Sequence, residues 1–175
     1  MRAVYVSRHM HPTPWIFGAL IGALLSTSCS AGDTDCAPGL PCAGSAQVPA
    51  TGKLQDIDAW LQTGTYKTWK CEKDAHPARS GSAHDSNRVC SNDLLSGTTA
   101  GEYPVGAANV KELYDGNRVT GYAMMVKVAK GTGGNAWYFY EKLGSGSIPA
   151  NGVDDGTCTG CHSGAPRDYV FTQVR

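Results

Sequence analysis

The chain has 175 residues, 41% of them hydrophobic, with fifteen basic and fifteen acidic side chains. That length and apolar content support one domain of modest size with its own core. The balanced charge excludes a strong electrostatic pull toward nucleic acid or an anionic membrane.

The opening segment MRAVYVSRHMHPTPWIFGALIGALLSTSC places Arg2 and Arg8 ahead of an apolar run from Trp15 to Leu25, followed by Ser26, Thr27 and Ser28. This is the pattern of a secretory signal peptide over residues 1–28, with an apolar part too short to span a bilayer comfortably. Cleavage after Ser28 would leave Cys29 first, the position that carries lipid in bacterial lipoproteins, although Ser26 stands where a larger aliphatic residue is usual. Lipidation and simple secretion both export the protein. A periplasmic location is expected, with membrane contact only through a lipid anchor at Cys29.

Residues 29–52 are small, polar and rich in Gly, Pro and Ala, and read as a flexible linker. The folded domain is expected over 53–175. KLQDIDAWLQ sets Leu54, Ile57, Trp60 and Leu61 on one face at helical spacing, which predicts a short amphipathic helix whose apolar stripe joins the core. From Tyr66 to about Lys142 the pattern turns to strand: NRVCSN, AANVKELY, RVTGYAMMVKVA and NAWYFYEK are four strand segments. The Asp115-Gly116 step suits a hairpin turn between the second and third, and KGTGGN links the third to the fourth. GSGSIPANGVDDG reads as a loop in which Asp154 or Asp155 caps a short helix. The fold class expected is therefore mainly β (α+β): an antiparallel sheet with a short N-terminal helix and a C-terminal helix or loop.

Export to an oxidising compartment turns unassigned thiols into disulfides. With Cys29, Cys158 and Cys161 set aside, four cysteines remain and permit three pairings. Cys36 with Cys42, inside CAPGLPC, and Cys71 with Cys90, both in the folded part, are the pairings favoured.

The C-terminal helix carries DGTCTGCHSG, in which Cys158, Cys161 and His162 form the Cys-x-x-Cys-His signature of haem c attachment. Two thiols add to the vinyl groups, and the adjacent histidine becomes the proximal iron ligand. A structural zinc site would want a second ligand pair, and no second cluster of similar spacing occurs in the sequence. A thioredoxin-like dithiol would want a βαβ setting rather than antiparallel strands. The cofactor expected is one covalent haem c with its iron. The following residues SGAPRDYVFTQVR contain no Met, His, Lys or Cys, so any second axial ligand comes from upstream or the iron is open to a small molecule.

EYPVGAANVKELYDG, NAWYFYE and CTGCHSGAPRDYVFTQV together resemble the cytochrome P-460 family, which includes the cytochromes c′-beta; the resemblance runs from about Trp60 to Arg175. It implies haem c on an antiparallel β fold, usually in a homodimer. In the P-460 branch a lysine is joined covalently to the porphyrin, and hydroxylamine is oxidised to nitrous oxide or nitric oxide. The residue matching that lysine, in NVKELY, is Lys111. A strand lysine can serve this way only if it points inward, where desolvation frees its amine, rather than toward solvent. The c′-beta branch lacks the crosslink.

Family enzymes also place a carboxylate over the distal face, from the strand after the lysine, to take protons from the substrate. The run GYAMMVKVAK has Met124 and Met125 there and no acid, so Glu112 and Glu141 are the alternatives. Other distal candidates are His76 and His84, with His84 preferred, and the methionine pair. Tyr138, Phe139 and Tyr140 are expected to wall the haem pocket or fill the core. Arg167 is a candidate partner for a haem propionate, because a guanidinium fork suits a carboxylate. Three functions follow: a hydroxylamine-oxidising enzyme passing electrons to a small redox protein, a nitric oxide-binding protein without catalysis, and an electron carrier.

Overall fold

The structure, a computed structural model, describes residues 48–49 and 53–175. The expected signal peptide, Cys29, the Cys36–Cys42 bridge and all of the linker except Val48 and Pro49 lie outside the described residues.

Helix α1 spans Leu54–Thr63 and ends at Gly64, whose φ of 70° is the left-handed conformation in which a glycine terminates a helix at little steric cost. Ile57 and Leu61 of its apolar stripe are fully buried and Trp60 is partly so, as the spacing predicts; the side chain of Leu54 lies outside the described set. A 3₁₀ turn over Thr65–Thr68 then delivers Tyr66 into the same core.

Six strands follow: β1 Lys70–Cys71, β2 Asn87–Ser91, β3 Ala108–Asp115, β4 Arg118–Lys127, β5 Trp137–Lys142 and β6 Ala150–Val153. They form one antiparallel sheet in chain order, so every connection joins nearest neighbours. The mainly-β fold with α+β character is as the sequence implied. The β3–β4 turn consists of Gly116 and Asn117, with Gly116 at φ 59°; a positive φ at the first central position alone is what a type II′ hairpin needs.

Three elements depart from the reading of the sequence. Residues 150–153 form edge strand β6 on β5, although the stretch GSGSIPANGVDDG reads as loop. Only Val153 there favours a strand, and the pairing is imposed by the neighbouring β5 ladder rather than by local propensity. The two-residue β1 and the five-residue helix α2, Asp93–Gly97, are likewise too short to carry a periodic signal. Helix α2 is capped by Asn92, whose side chain accepts from Leu95 N at 3.0 Å.

Alternation along the strands divides the sheet into two faces. One face carries Cys90, Ala108, Val110, Met124, Val126, Tyr138 and Tyr140 against Ile57, Leu61 and Tyr66. The expected disulfide Cys71–Cys90 bridges directly paired residues of β1 and β2 and joins this side. Helix α3, Gly156–His162, and the segment after it lie on the other face. Asp155 caps α3 by accepting from Thr157 N at 3.0 Å, one of the two aspartates expected to do so. The segment after α3 is stitched down in several places: Gln173 donates to the carbonyls of Leu95 and Thr98, and Asn109 donates to Thr172 O at 2.8 Å. A second cluster, built on Leu95, Tyr103, Met125, Trp137, Phe139 and Val170, fills that side.

Candidate functional site

The centre of β3 reads Val110, Lys111, Glu112, and the period of two sends Lys111 to the face opposite Val110 and Glu112. Its cross-strand neighbours are Val89 on β2 and Ala123 on β4. Lys111 therefore looks into a cleft floored by Val89, Ala123, Met125 and Phe139 and flanked by α3. Two adjoining cavities occupy this cleft, of about 50 and 270 Å³. Together they lie near the lower end of the roughly 300–1,000 Å³ typical of small-molecule and cofactor sites.

Both cavities are lined by His84, Lys111, Cys158 and His162, and the larger one also by Cys161 and Glu141. The Cys-x-x-Cys-His residues and Lys111, 47 positions apart in the chain by the nearest pair, thus share one cleft. Cys158 and Cys161 are free thiols. The His162 ring stands edge-on between Phe139 and Phe171, with ring centroids 5.4 Å away on either side. Its Nδ1 donates to Tyr169 O at 2.7 Å, since a carbonyl can only accept. That bond leaves Nε2 as the nitrogen with a free lone pair. Burial lowers the His162 pKa, only partly offset by the Tyr169 hydrogen bond, which favours the neutral form that can ligate.

Two free thiols and a neutral imidazole of fixed tautomer, side by side on one cleft wall, are the donor set that covalent haem attachment requires. A redox dithiol fits less well, because its nucleophilic thiol has a depressed pKa. Burial, with the charges of Glu141 and Asp155 behind it, pushes the Cys158 thiol up to about 12. The sheet is antiparallel throughout, not the βαβ setting of that chemistry. Among the described residues no group of three or more His, Cys, Asp or Glu side chains is arranged to hold a metal ion.

Lys111 makes no hydrogen bond and no ion pair among the described residues. Burial lowers its pKa, reinforced by the positive charge of Arg79 and opposed by Glu141 and Glu72. Such an amine is more easily freed of its proton than an exposed lysine, which makes it nucleophilic.

Above the cleft, His84 and Glu141 meet, with Nδ1 of His84 3.1 Å from Oε1 of Glu141. The approach is too poorly aligned for a hydrogen bond, and the buried Nδ1 has no other partner among the described residues. Both residues also line an outer cleft of about 460 Å³ together with Asp85, Tyr114 and Thr120. The pair therefore stands in the wall between the inner cavity and the outer cleft. Of the two carboxylates the sequence offered, Glu141 is at the site. Glu112 is on the opposite face, buried against Tyr66, Arg88 and Tyr114.

The remaining candidates separate the same way. Met125 and Phe139 belong to the cleft face; Met124 and Tyr140 border the smaller cavity but pack in the α1-side core, where Tyr140 donates to Asp58 at 2.9 Å. Tyr138 lies in that core and donates to Asn151, lining neither cavity. His76 is held by Glu72 and the Pro77 carbonyl, outside the cleft. Arg167 is away from it as well: its guanidinium lies 3.9 Å over the Tyr103 ring and donates to Thr98 O. The arginine that lines the cleft is Arg79, which sequence reasoning missed. It pairs with Glu72 and donates to Thr172 Oγ1 at 3.1 Å, tying the 79–84 loop to the segment after α3. Nothing in its local sequence, HPARSGSAH, marks this role, because the partners are Glu72, which follows β1, and Thr172.

No family model matches the chain, and no curated protein or solved structure matches it.

Proposed function

We propose that this chain is an exported mono-haem c protein of the cytochrome P-460 type that oxidises hydroxylamine. The observation that carries the reading is the meeting of Lys111, a desolvated amine with no hydrogen-bond partner, and the Cys158–Cys161–His162 set in one cleft. Cys158 and Cys161 would hold the ring by thioether bonds, His162 Nε2 would ligate the iron, and Lys111 is placed to make a further covalent link. The bound haem would supply a Lewis-acidic, redox-active iron at which the nitrogen substrate binds and gives up electrons.

The chain's own contribution is to manage protons and water. Oxidation of hydroxylamine to nitrous oxide or nitric oxide releases protons in equal number to electrons, so a base must stand within reach. Glu141 is that base, with His84 beside it to pass the proton toward the outer cleft. Val89, Ala123 and Phe139 keep the inner cavity apolar. Electrons leave to a small redox protein. The Cys71–Cys90 bridge accords with an oxidising, periplasmic compartment, whether or not Cys29 is lipidated.

One observation favours a second reading. The smaller cavity is tight and mostly apolar, suited to a diatomic gas, which fits a nitric oxide-binding protein like the c′-beta branch. The optical spectrum of the purified ferrous protein separates the readings. A strongly red-shifted main band supports the crosslinked enzyme, and an ordinary high-spin haem c spectrum supports the gas binder. A low-spin spectrum indifferent to nitric oxide supports an electron carrier and rejects both.

A further inference from the structure

Lys127 and Asp168 form an ion pair that is almost completely closed to water, with side chains 0% and 1% exposed. Neither touches the cleft. Lys127 Nζ donates to Asp168 Oδ1 and Oδ2 at 2.9 and 2.8 Å and to the Gly131 carbonyl, 3.6 Å from Glu102 and over the Trp137 ring. Asp168 accepts two more hydrogen bonds, from Trp137 Nε1 at 3.1 Å and Tyr103 N at 2.9 Å. A buried pair of this kind is weak evidence for stability, because apolar residues of similar volume usually serve as well. Its purpose has to be sought in the geometry it fixes.

That geometry is the turn 167–170, closed by Val170 N donating to Arg167 O at 2.8 Å. Both central residues have positive φ, 41° at Asp168 and 65° at Tyr169. A tyrosine in this region is strained and persists only where its surroundings over-determine it. Here they do so through six contacts on one carboxylate and its turn: Lys127, Trp137 and Tyr103 on Asp168, Val170 N on Arg167, and Arg167 against Tyr103 and Thr98. The strained turn aims the Tyr169 carbonyl at Nδ1 of His162, 2.7 Å away.

We propose that the Lys127–Asp168 pair is a positioning device for His162: it holds the 167–170 turn so that the Tyr169 carbonyl fixes the Nδ1–H tautomer and presents Nε2 to the cleft. Phe139 and Phe171 hold the plane of the ring, and the turn holds its rotation within that plane. A carbonyl accepting from Nδ1–H also increases electron density on the ring, strengthening its bond to a metal at Nε2. The metal-bond part of this inference rests on the haem reading; the tautomer part does not.

The test uses purified wild type, Asp168→Asn, Lys127→Met and the milder Trp137→Phe, which removes one donor to Asp168 and keeps an aromatic ring in the core. Glu112→Ala serves as a control that destabilises the opposite face. A pyridine haemochrome assay first establishes whether haem c is present, and a negative result overturns the proposed function without touching the positioning claim. With haem present, the iron–histidine stretching band of the ferrous protein should fall in frequency and the reduction potential should rise in all three variants, Trp137→Phe moving least, and neither should move in Glu112→Ala. With haem absent, nitrogen NMR of His162 should show the Nδ1–H tautomer in the wild type and a tautomer mixture in the variants. Folded variants with an unchanged band, potential or tautomer would reduce the pair to a packing feature.

Discussion

Two consecutive residues of β3, on opposite faces of the sheet, treat their charge in opposite ways. Glu112 faces the α1 side with its side chain fully closed to water, and it is saturated: Tyr66 and Tyr114 donate at 2.7 Å, Arg88 donates at 2.9 Å, and Lys67 stands 3.6 Å away. Burial alone would raise its pKa, but those hydrogen bonds and the charge of Arg88 outweigh it, and the net shift is downward. Lys111, one peptide bond away, faces the cleft with no hydrogen bond among the described residues, and partial burial lowers its pKa from the ordinary lysine value. On β3 the satisfied charge, Glu112, serves the fold, and the unsatisfied one, Lys111, stands beside two thiols and His162, where the proposed chemistry would take place.

The sharpest way to break this contrast is to remove the two thiols that the proposal assigns to haem attachment. Cys158→Ala with Cys161→Ala should abolish covalent haem, read as loss of colour in the protein after acid–acetone extraction, while the circular dichroism of the sheet stays intact. Next in size, Glu141→Gln should slow hydroxylamine oxidation by about 10²-fold, the usual contribution of a positioned base, with melting temperature nearly unchanged. The corresponding change across the strand should do the reverse. Glu112→Ala should cost about 2 kcal/mol in denaturant unfolding, less than the 3–5 expected for a broken buried pair, because the abandoned Arg88 and Lys67 can reach water. It should leave the haem spectrum alone.

The smallest effect is one of pH. The folded pKa of Glu112 lies below its ordinary value of 4.5, so the stability it contributes is fully present above that pH. That contribution is lost as pH falls through the depressed folded value, since the unfolded chain takes up the proton first. Glu112→Gln should therefore flatten the acid limb of the stability curve below about pH 4.5 and change little near neutrality.

Much of this was legible in the sequence, and the limits have physical causes. Strands β3 to β5 were readable because each carries two or more β-branched or aromatic residues between turn residues, and β2 was readable as a short segment around Val89. Strand β6 was not, since ANGV owes its conformation to its neighbour. The Cys158–Cys161–His162 motif is local in the chain and could be read directly. Alternation puts Lys111 and Glu112 on opposite faces, yet both were candidates for the one site. It did not say which of them reaches that site, because a period of two is blind to which face is covered. The role of Arg79, the His84–Glu141 meeting and the Lys127–Asp168 pair depend on partners 7 to 93 positions apart, such as Arg79 with Glu72 and with Thr172, and no local pattern encodes them.

The central claim is that Lys111 is an unsatisfied amine held for the ring. Intact mass and the ferrous optical spectrum, measured together on the wild type and Lys111→Ala, test it most directly. The account predicts a strongly red-shifted main band in the wild type that reverts to an ordinary haem c spectrum in Lys111→Ala, with a mass difference beyond the side-chain change that reports the lost crosslink. Identical spectra in the two proteins, with masses differing only by the side chain, would contradict it.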